Sequence, residues 1–341
     1  MRHLRQALVG FVVVGFLLAT GIGGSLAADI KDRTIKYAVL YDIDHPHGLG
    51  AKKFAELVTQ KSGGKIKVKI YAGATLGGEI AVVSSMQGGT IEMSAMGTPQ
   101  LVGLIKQYAV LDFPFLFNDE KEADAVLDGP VGTQLLTRLP EKGLIGLAYF
   151  EHGFRQLTNS KRPVAKLEDL QGLKIRVQQN AVAIDTFNAL GANAIPLPFP
   201  ELYTALEQKA VDGQENPFNS IEVAKFYEVQ KYLSVTKHNY TPLVLLVSKK
   251  FWDKLAPDEQ KILQESATEA RLYQRKVSRE LNEKSLQSLK AKGMEVTVIS
   301  PQELARMREK VQPVVDKYTK EVGETLVKEL YAEIDKVRKQ K

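Results

Sequence analysis

From Pro257-Asp258 to Lys292 the chain carries a helical pattern with no breaker, and Gly293 is its stop. At about 1.5 Å per residue such a helix is roughly 50 Å long, more than the width of a domain built from half of this chain. It must either protrude or lie across two domains. Leu263, Ala267, Ala270, Tyr273, Val277, Leu281 and Leu286 keep an apolar stripe along most of it, so bridging is expected. With 341 residues, 44% of them hydrophobic and 25% charged, the chain has material for two cores.

Ahead of that helix, strand and helix patterns alternate. Strands are expected at Ile35–Leu40, Ile66–Tyr71, Ile91–Met96 and Leu144–Phe150, and helices at Leu49–Gln60, Glu79–Gln87, Ala123–Leu127 and Val131–Leu139. The rhythm continues through strand Leu173–Val177, helix Ala181–Leu190, strand Ala194–Leu197 and helix Glu201–Gln208. Two apolar strands follow, Tyr232–Val235 and Leu243–Val247. This is an α/β chain with a mainly parallel sheet expected. After the long helix come a strand at Glu295–Ile299, a capping box Ser300-Pro301-Gln302-Glu303, C-terminal helices and a basic, frayed tail from Asp335.

The first 27 residues read as a cleavable export leader: Arg2 and Arg5, an apolar run from Ala7 to Thr20, then Ser25-Leu26-Ala27 as the cleavage site. The apolar run is too short for a good membrane span. Cysteine is absent, which excludes disulfides and thiolate metal sites and leaves nothing to lipidate after the leader. A soluble periplasmic protein is expected. Losing the leader lowers the formal net charge from +6 to +4, too little to argue for nucleic acid.

Catalytic motifs are missing: no Gly-x-Ser-x-Gly, His-Glu-x-x-His, Walker loop or Gly-x-Gly-x-x-Gly. Two segments carry chemistry instead. Gly172-Leu173-Lys174-Ile175-Arg176-Val177 puts Arg176 near the carboxyl end of a strand, where open α/β sheets bind ligands. Its guanidinium suits a carboxylate, though an exposed edge arginine has the same spacing. Val211-Asp212-Gly213-Gln214-Glu215-Asn216-Pro217 reads as a turn, in which Gly213 supplies a special backbone angle and Asn216 can donate and accept. Arg155 follows the Leu144–Phe150 strand and is equally consistent with a surface loop. His45-Pro46-His47 has a chelating spacing, but no cysteine or carboxylate cluster beyond Asp42 and Asp44 completes a metal site, and none is expected. His238 falls between two predicted strands.

Taken in order, several segments resemble the solute-binding proteins of TRAP (tripartite ATP-independent periplasmic) transporters, of the dicarboxylate-binding type. They are Gly153-Phe154-Arg155-Gln156-Leu157-Thr158-Asn159, Leu173–Val177, Pro196-Leu197-Pro198-Phe199 with Glu201-Leu202-Tyr203, the Val211–Pro217 run and Lys225–Tyr232. The resemblance spans Ile35 to about Leu330 and implies a two-lobed periplasmic binding protein fold, type II-like, with hinge strands and a helix across both lobes.

The resemblance implies lobe I from 28–152 plus 242–280 and lobe II from 153–241 plus 281–341. It implies that Arg176 clamps a ligand carboxylate, that Arg155 is a second arginine at the anion, and that Asn216 and Phe199 line the second lobe, with His238 a further contact. Glu79, Thr98 and His45 are first-lobe candidates. After Val177 many relatives carry proline, whereas here Gln178-Gln179-Asn180 follow, which add polar contacts or cap the Ala181 helix. The expected ligand is a small organic acid: a C4-dicarboxylate, a sugar acid or a 2-hydroxy or 2-oxo acid. The expected chain is a monomer without cofactor that delivers the ligand to a membrane permease; a sensor subunit and a periplasmic enzyme are the alternatives.

Overall fold

A computed structural model describes residues 30–340, so the predicted leader lies outside the described residues. The first elements are β1 (Arg33–Ala38), α1 (Pro46–Lys61), β2 (Ile66–Tyr71), α2 (Glu79–Gly88), β3 (Met93–Gly97), α3 (Glu120–Asp128) and α4 (Pro130–Leu136). Then come β4 (Leu144–Asn159), β5 (Lys174–Val177), α5 (Ala181–Ala189), β6 (Asn193–Pro196), α6 (Leu202–Glu207), β7 (Gly213–Asn216) and α7 (Phe218–Val223). The last are β8 (Tyr232–Ser248), α8 (Lys249–Trp252), α9 (Pro257–Ala291), β9 (Glu295–Val298), α10 (Pro301–Val322) and α11 (Glu324–Arg338).

The strands order as β2-β1-β3-β8-β4-β7-β5-β6, with β9 on β8. The outer pairs are parallel, as the βαβ rhythm requires, and the long strands β4 and β8 pair antiparallel through the middle. The expected strand Leu144–Phe150 therefore continues to Asn159 as one strand of 16 residues, and the two expected strands Tyr232–Val235 and Leu243–Val247 are one strand of 17, both running from one lobe into the other. Their ladder slips near Gly146, near Glu151–Gly153 and near Arg155–Leu157, and Gly153 holds φ +107°, a conformation that a side chain disfavours. Pro242 and the polar run Thr236–Asn239 resembled a break, but the partner strand carries the pairing past them.

Four buried apolar clusters cover the two faces of the sheet in each lobe. Helix α9 spans both lobes. Its first half buries Leu263, Ala267 and Ala270 against Phe54 and Val58 of α1, and its end buries Leu289 beside Phe226. Fully burying one such leucine contributes about 1.5–3 kcal/mol. The expected stripe breaks in the middle: Tyr273 is exposed, and Gln274, Arg275 and Ser278 form the buried face there. Gln274 accepts from the backbone N–H of Glu151 and donates to its carbonyl, both at 2.7 Å, so one amide holds the helix against the kinked strand.

The C-terminal tail is not frayed before Arg338, which donates to both carboxylate oxygens of Glu122 at 3.1 and 3.0 Å. Leu330 and Ile334 of α11 are buried in the same cluster as Ala123, Val126 and Leu127, on the first-lobe side.

Candidate functional site

Strand β5 buries Ile175 and Val177 in the second-lobe core and turns Arg176 to the opposite face. Arg176 is nonetheless only 2% exposed. Its Nε and Nη2 donate to the carbonyl of Leu197 at 2.9 and 2.5 Å, and among the described residues no carboxylate makes an ion pair with it. Burial pushes its pKa below the ordinary arginine value, and longer-range attraction from Glu79 and Glu215 offsets this only in part. A buried cation without a counter-ion carries a desolvation cost of several kcal/mol, which an incoming carboxylate offsets.

Arg155 is in the opposite situation. It forms a buried ion pair with Glu215, with Nε on Oε2 and Nη2 on Oε1 at 3.0 Å. The same Nη2 also donates to Oδ1 of Asn216 at 3.0 Å. Nε2 of His238 lies 3.2 Å from Glu215, and its Nδ1 lies 2.7 Å from Oγ1 of Thr236. Burial alone would raise the Glu215 pKa, but Arg155 and His238 hold it down at about 2. Asn216 is oriented from behind: its Nδ2 donates to Gln214 at 2.5 Å, Gln214 to Thr158 at 2.8 Å, and Thr158 to Gln230 at 2.9 Å.

The segment carrying Glu215 and Asn216 is a central strand rather than the expected turn. Gly213 is required there by close approach and not by a special angle: a Cβ would stand 2.2 Å from the carbonyl oxygen of Thr158.

Between the lobes lies a cleft with about 570 Å³ of empty space counted to its mouth. Arg176, Asn216, Phe199 and Glu79 line it. Phe199 of the second lobe packs on Tyr41 of the first at 4.4 Å between ring centres. Arg155 and His238 instead line a smaller neighbouring cavity with Asp112, Asn180 and Gln178. Thr98 and His45 stand behind the walls: Thr98 donates to Asp112 at 3.4 Å, and His45 caps α1.

Sequence reasoning missed Tyr41, His47, Gln100 and His152, which also line the cleft. Only His47 had a signal, the His-x-His spacing. Gln178 and Asn180 divide the two roles considered for them. Gln178 lines both cavities, and Asn180 caps α5 by accepting from the N–H of Ala183 at 3.0 Å.

Asn180 also reaches across the lobes, donating to the carbonyl of Pro99 at 3.1 Å and to Oδ2 of Asp112 at 3.0 Å. Burial pushes the Asp112 carboxyl up to about 8, against the pull of Asn180, Thr98 and Arg155.

His45, His47 and His152 bring ring nitrogens within 4.8 Å of one another. Nδ1 of His45 accepts from the backbone N–H of His47 at 3.2 Å, so its proton sits on Nε2, 3.0 Å from Oγ of Ser220. Nη1 of Arg155 faces Nδ1 of His152 at 3.5 Å and can only donate, so His152 also carries its proton on Nε2, 2.8 Å from Ser220. The Ser220 hydroxyl in turn donates to Oδ1 of Asn219 at 3.3 Å. Two protonated ring nitrogens and an adjacent guanidinium suit a cation poorly.

A sequence profile of the bacterial extracellular solute-binding proteins, family 7, matches residues 40–321. A TRAP periplasmic solute-binding protein of Ochrobactrum anthropi, with its C-terminus bound in the ligand-binding pocket, is 53% identical with a TM-score of 0.83, covering 92% of this chain and 98% of that one. The sugar acid binding protein of Advenella mimigardefordensis, in complex with galactonate, is 45% identical with a TM-score of 0.89, covering 90% and 99%. The 2,3-diketo-L-gulonate-binding periplasmic protein of Escherichia coli is 40% identical over 280 residues, 82% of this chain and 85% of that one.

Proposed function

The chain belongs to the bacterial extracellular solute-binding proteins of family 7, the TRAP receptors for small organic acids, and from that premise we propose that it captures a hydroxylated monocarboxylate, a sugar acid, between two closing lobes. The observation that carries this reading is Arg176, a buried guanidinium at the wall of the cleft with no carboxylate partner among the described residues. One cation with no carboxylate of its own calls for one carboxylate. Glu79 on the same cleft would repel a second one and can accept from hydroxyl groups. The other polar walls are neutral: Tyr41, Gln100, Gln178, His47, His152 and Asn216. The galactonate and 2,3-diketo-L-gulonate specificities named for two relatives support the same class.

In this reading Asn216 and Phe199 touch the solute, Arg155 orients Asn216 directly while Glu215 and His238 hold Arg155 in place, and strands β4 and β8 are the hinge. Within the described residues the lobes divide as 30–152 with 242–280 and 153–241 with 281–340, helix α11 returning to the first. The receptor works in the periplasm and hands its load to a membrane permease; no helix among the described residues is long and apolar enough to cross a membrane. It binds rather than transforms its solute.

A thermal-shift screen of organic acids tests the proposal. Ligand at a hundredfold excess over its Kd stabilises by about 2.7 kcal/mol. Shifts with aldonates or ketogulonates, and not with succinate or malate, are expected; shifts confined to dicarboxylates would contradict it. Solute uptake that is lost when the chain is deleted distinguishes transport from sensing.

A further inference from the structure

Of the three clustered imidazoles, only His47 both lines the cleft and keeps a buried ring nitrogen, Nε2, without a hydrogen-bond partner among the described residues. A buried polar atom left unpaired is costly, so a native structure that keeps one at a cleft wall is set up for a group that arrives later. The surroundings make the ring rigid. His47 stands edge-on to Tyr41 at 5.0 Å and to His45 at 4.5 Å, with His152 at 4.7 Å. Tyr41 stacks on His45 at 4.0 Å. His45 and His152 are held in turn by the hydroxyl of Ser220, which is saturated by them and by Asn219. His45, His152 and Ser220 therefore have no spare polarity in this bonding pattern, and His47 does.

We propose that His47 is a specificity-determining residue that reads a hydroxyl of the solute, while His45, His152 and Ser220 act as positioning residues that fix its ring. This rests on the sugar-acid reading above and adds the group that enforces it. Burial holds the His47 pKa near 3, so the ring stays neutral across the physiological range and offers one donor and one acceptor nitrogen. A neutral ring pairs with a hydroxyl without demanding a second anion. An acid lacking that hydroxyl leaves Nε2 stranded, and a site built around a hydroxyl discriminates against its deoxy counterpart far more strongly than an apolar pocket discriminates by size.

The test is calorimetric titration of wild type, His47→Phe and His47→Gln with D-erythronate, D-gluconate and D-galactonate, and with butanoate and hexanoate as unhydroxylated acids. In His47→Phe, affinity for the hydroxylated acids should fall about 10- to 100-fold, on the scale of one or two lost hydrogen bonds, while the unhydroxylated acids change little. His47→Gln, which keeps an amide at that wall, should recover part of the loss. Thermal unfolding of the unliganded variants within a few degrees of wild type separates this from misfolding, and His47→Gln retains the test if His47→Phe is unstable. An unchanged preference for hydroxylated acids in both variants overturns the role of His47, provided that binding still requires Arg176. Zinc or nickel bound one-to-one by wild type and lost in His47→Phe overturns it in favour of a metal site. If wild type binds none of these acids, the sugar-acid reading and this role both fall.

Discussion

Nη2 of Arg155 donates to Oε1 of Glu215 at 3.0 Å, and both side chains are buried in the second lobe. That pair divides the labour between the two arginines. Arg155 is neutralised within the protein and holds Asn216, whereas among the described residues Arg176 has only the Leu197 carbonyl as a close partner. A second free guanidinium would favour a second carboxylate. Its neutralisation by Glu215 is why the cleft reads as a site for one.

Glu215→Gln removes the counter-charge and leaves Arg155 buried. Breaking such a pair costs about 3–5 kcal/mol, so denaturant unfolding at neutral pH should show a loss of that order. The depressed Glu215 pKa, about 2 against the usual 4.5, gives the sign. The stabilisation is present above about pH 4.5 and fades as pH falls toward 2, so the difference between variant and wild type should shrink in acid.

Asp112 runs the other way. Its folded pKa of about 8 lies above the usual 3.8, so the folded chain binds this proton more tightly than the unfolded one. Its contribution is most favourable below about pH 4 and is lost as pH rises toward 8. Asp112→Asn keeps an acceptor for Asn180 and cannot ionise. It should match wild type near pH 4 and exceed it by several kcal/mol at pH 8, at about 1.4 kcal/mol per pH unit before other effects. Urea unfolding across that range measures the difference. A constant gap at all pH values would place the effect elsewhere.

Phe199→Ala removes the ring that meets Tyr41 across the cleft. Aromatic pairs contribute about 0.5–1.5 kcal/mol beyond area, and part of the covering surface goes too, so affinity should fall about 5- to 30-fold. The loss should fall mainly in the dissociation rate, measured by stopped-flow fluorescence, because the contact forms only on closure.

Much of the architecture was legible. The alternation of patterns gave the parallel outer strands, and the unbroken run to Lys292 gave the bridging helix. Arg176 was readable because the strand pattern of Leu173, Ile175 and Val177 leaves it on the other face. What stayed hidden depended on partners distant in sequence. Gly213, Gln214, Glu215 and Asn216 are poor strand formers, and they form one because β4 and β5 pair with them on both sides and a chain of amides satisfies them. His238 falls between two predicted strands; it stands in the irregular stretch where Lys237 takes φ +43°, and the pairing with β4 resumes at Asn239. Tyr273 fell in the apolar stripe but faces out, since the helix passes the strand crossing there and Gln274 binds the backbone instead. His152 had no local signal at all: it meets His47 only once β4 has crossed between the lobes.

The most direct measurement is calorimetric titration of Arg176→Ala with an acid that wild type binds. Two charge-assisted hydrogen bonds contribute roughly 3–6 kcal/mol, so affinity should drop on the order of 10²- to 10⁴-fold. Arg176→Lys should fail by much of that range, since an ammonium lacks the planar fork. An Arg176→Ala protein that folds and binds the same acid with unchanged affinity would contradict the account.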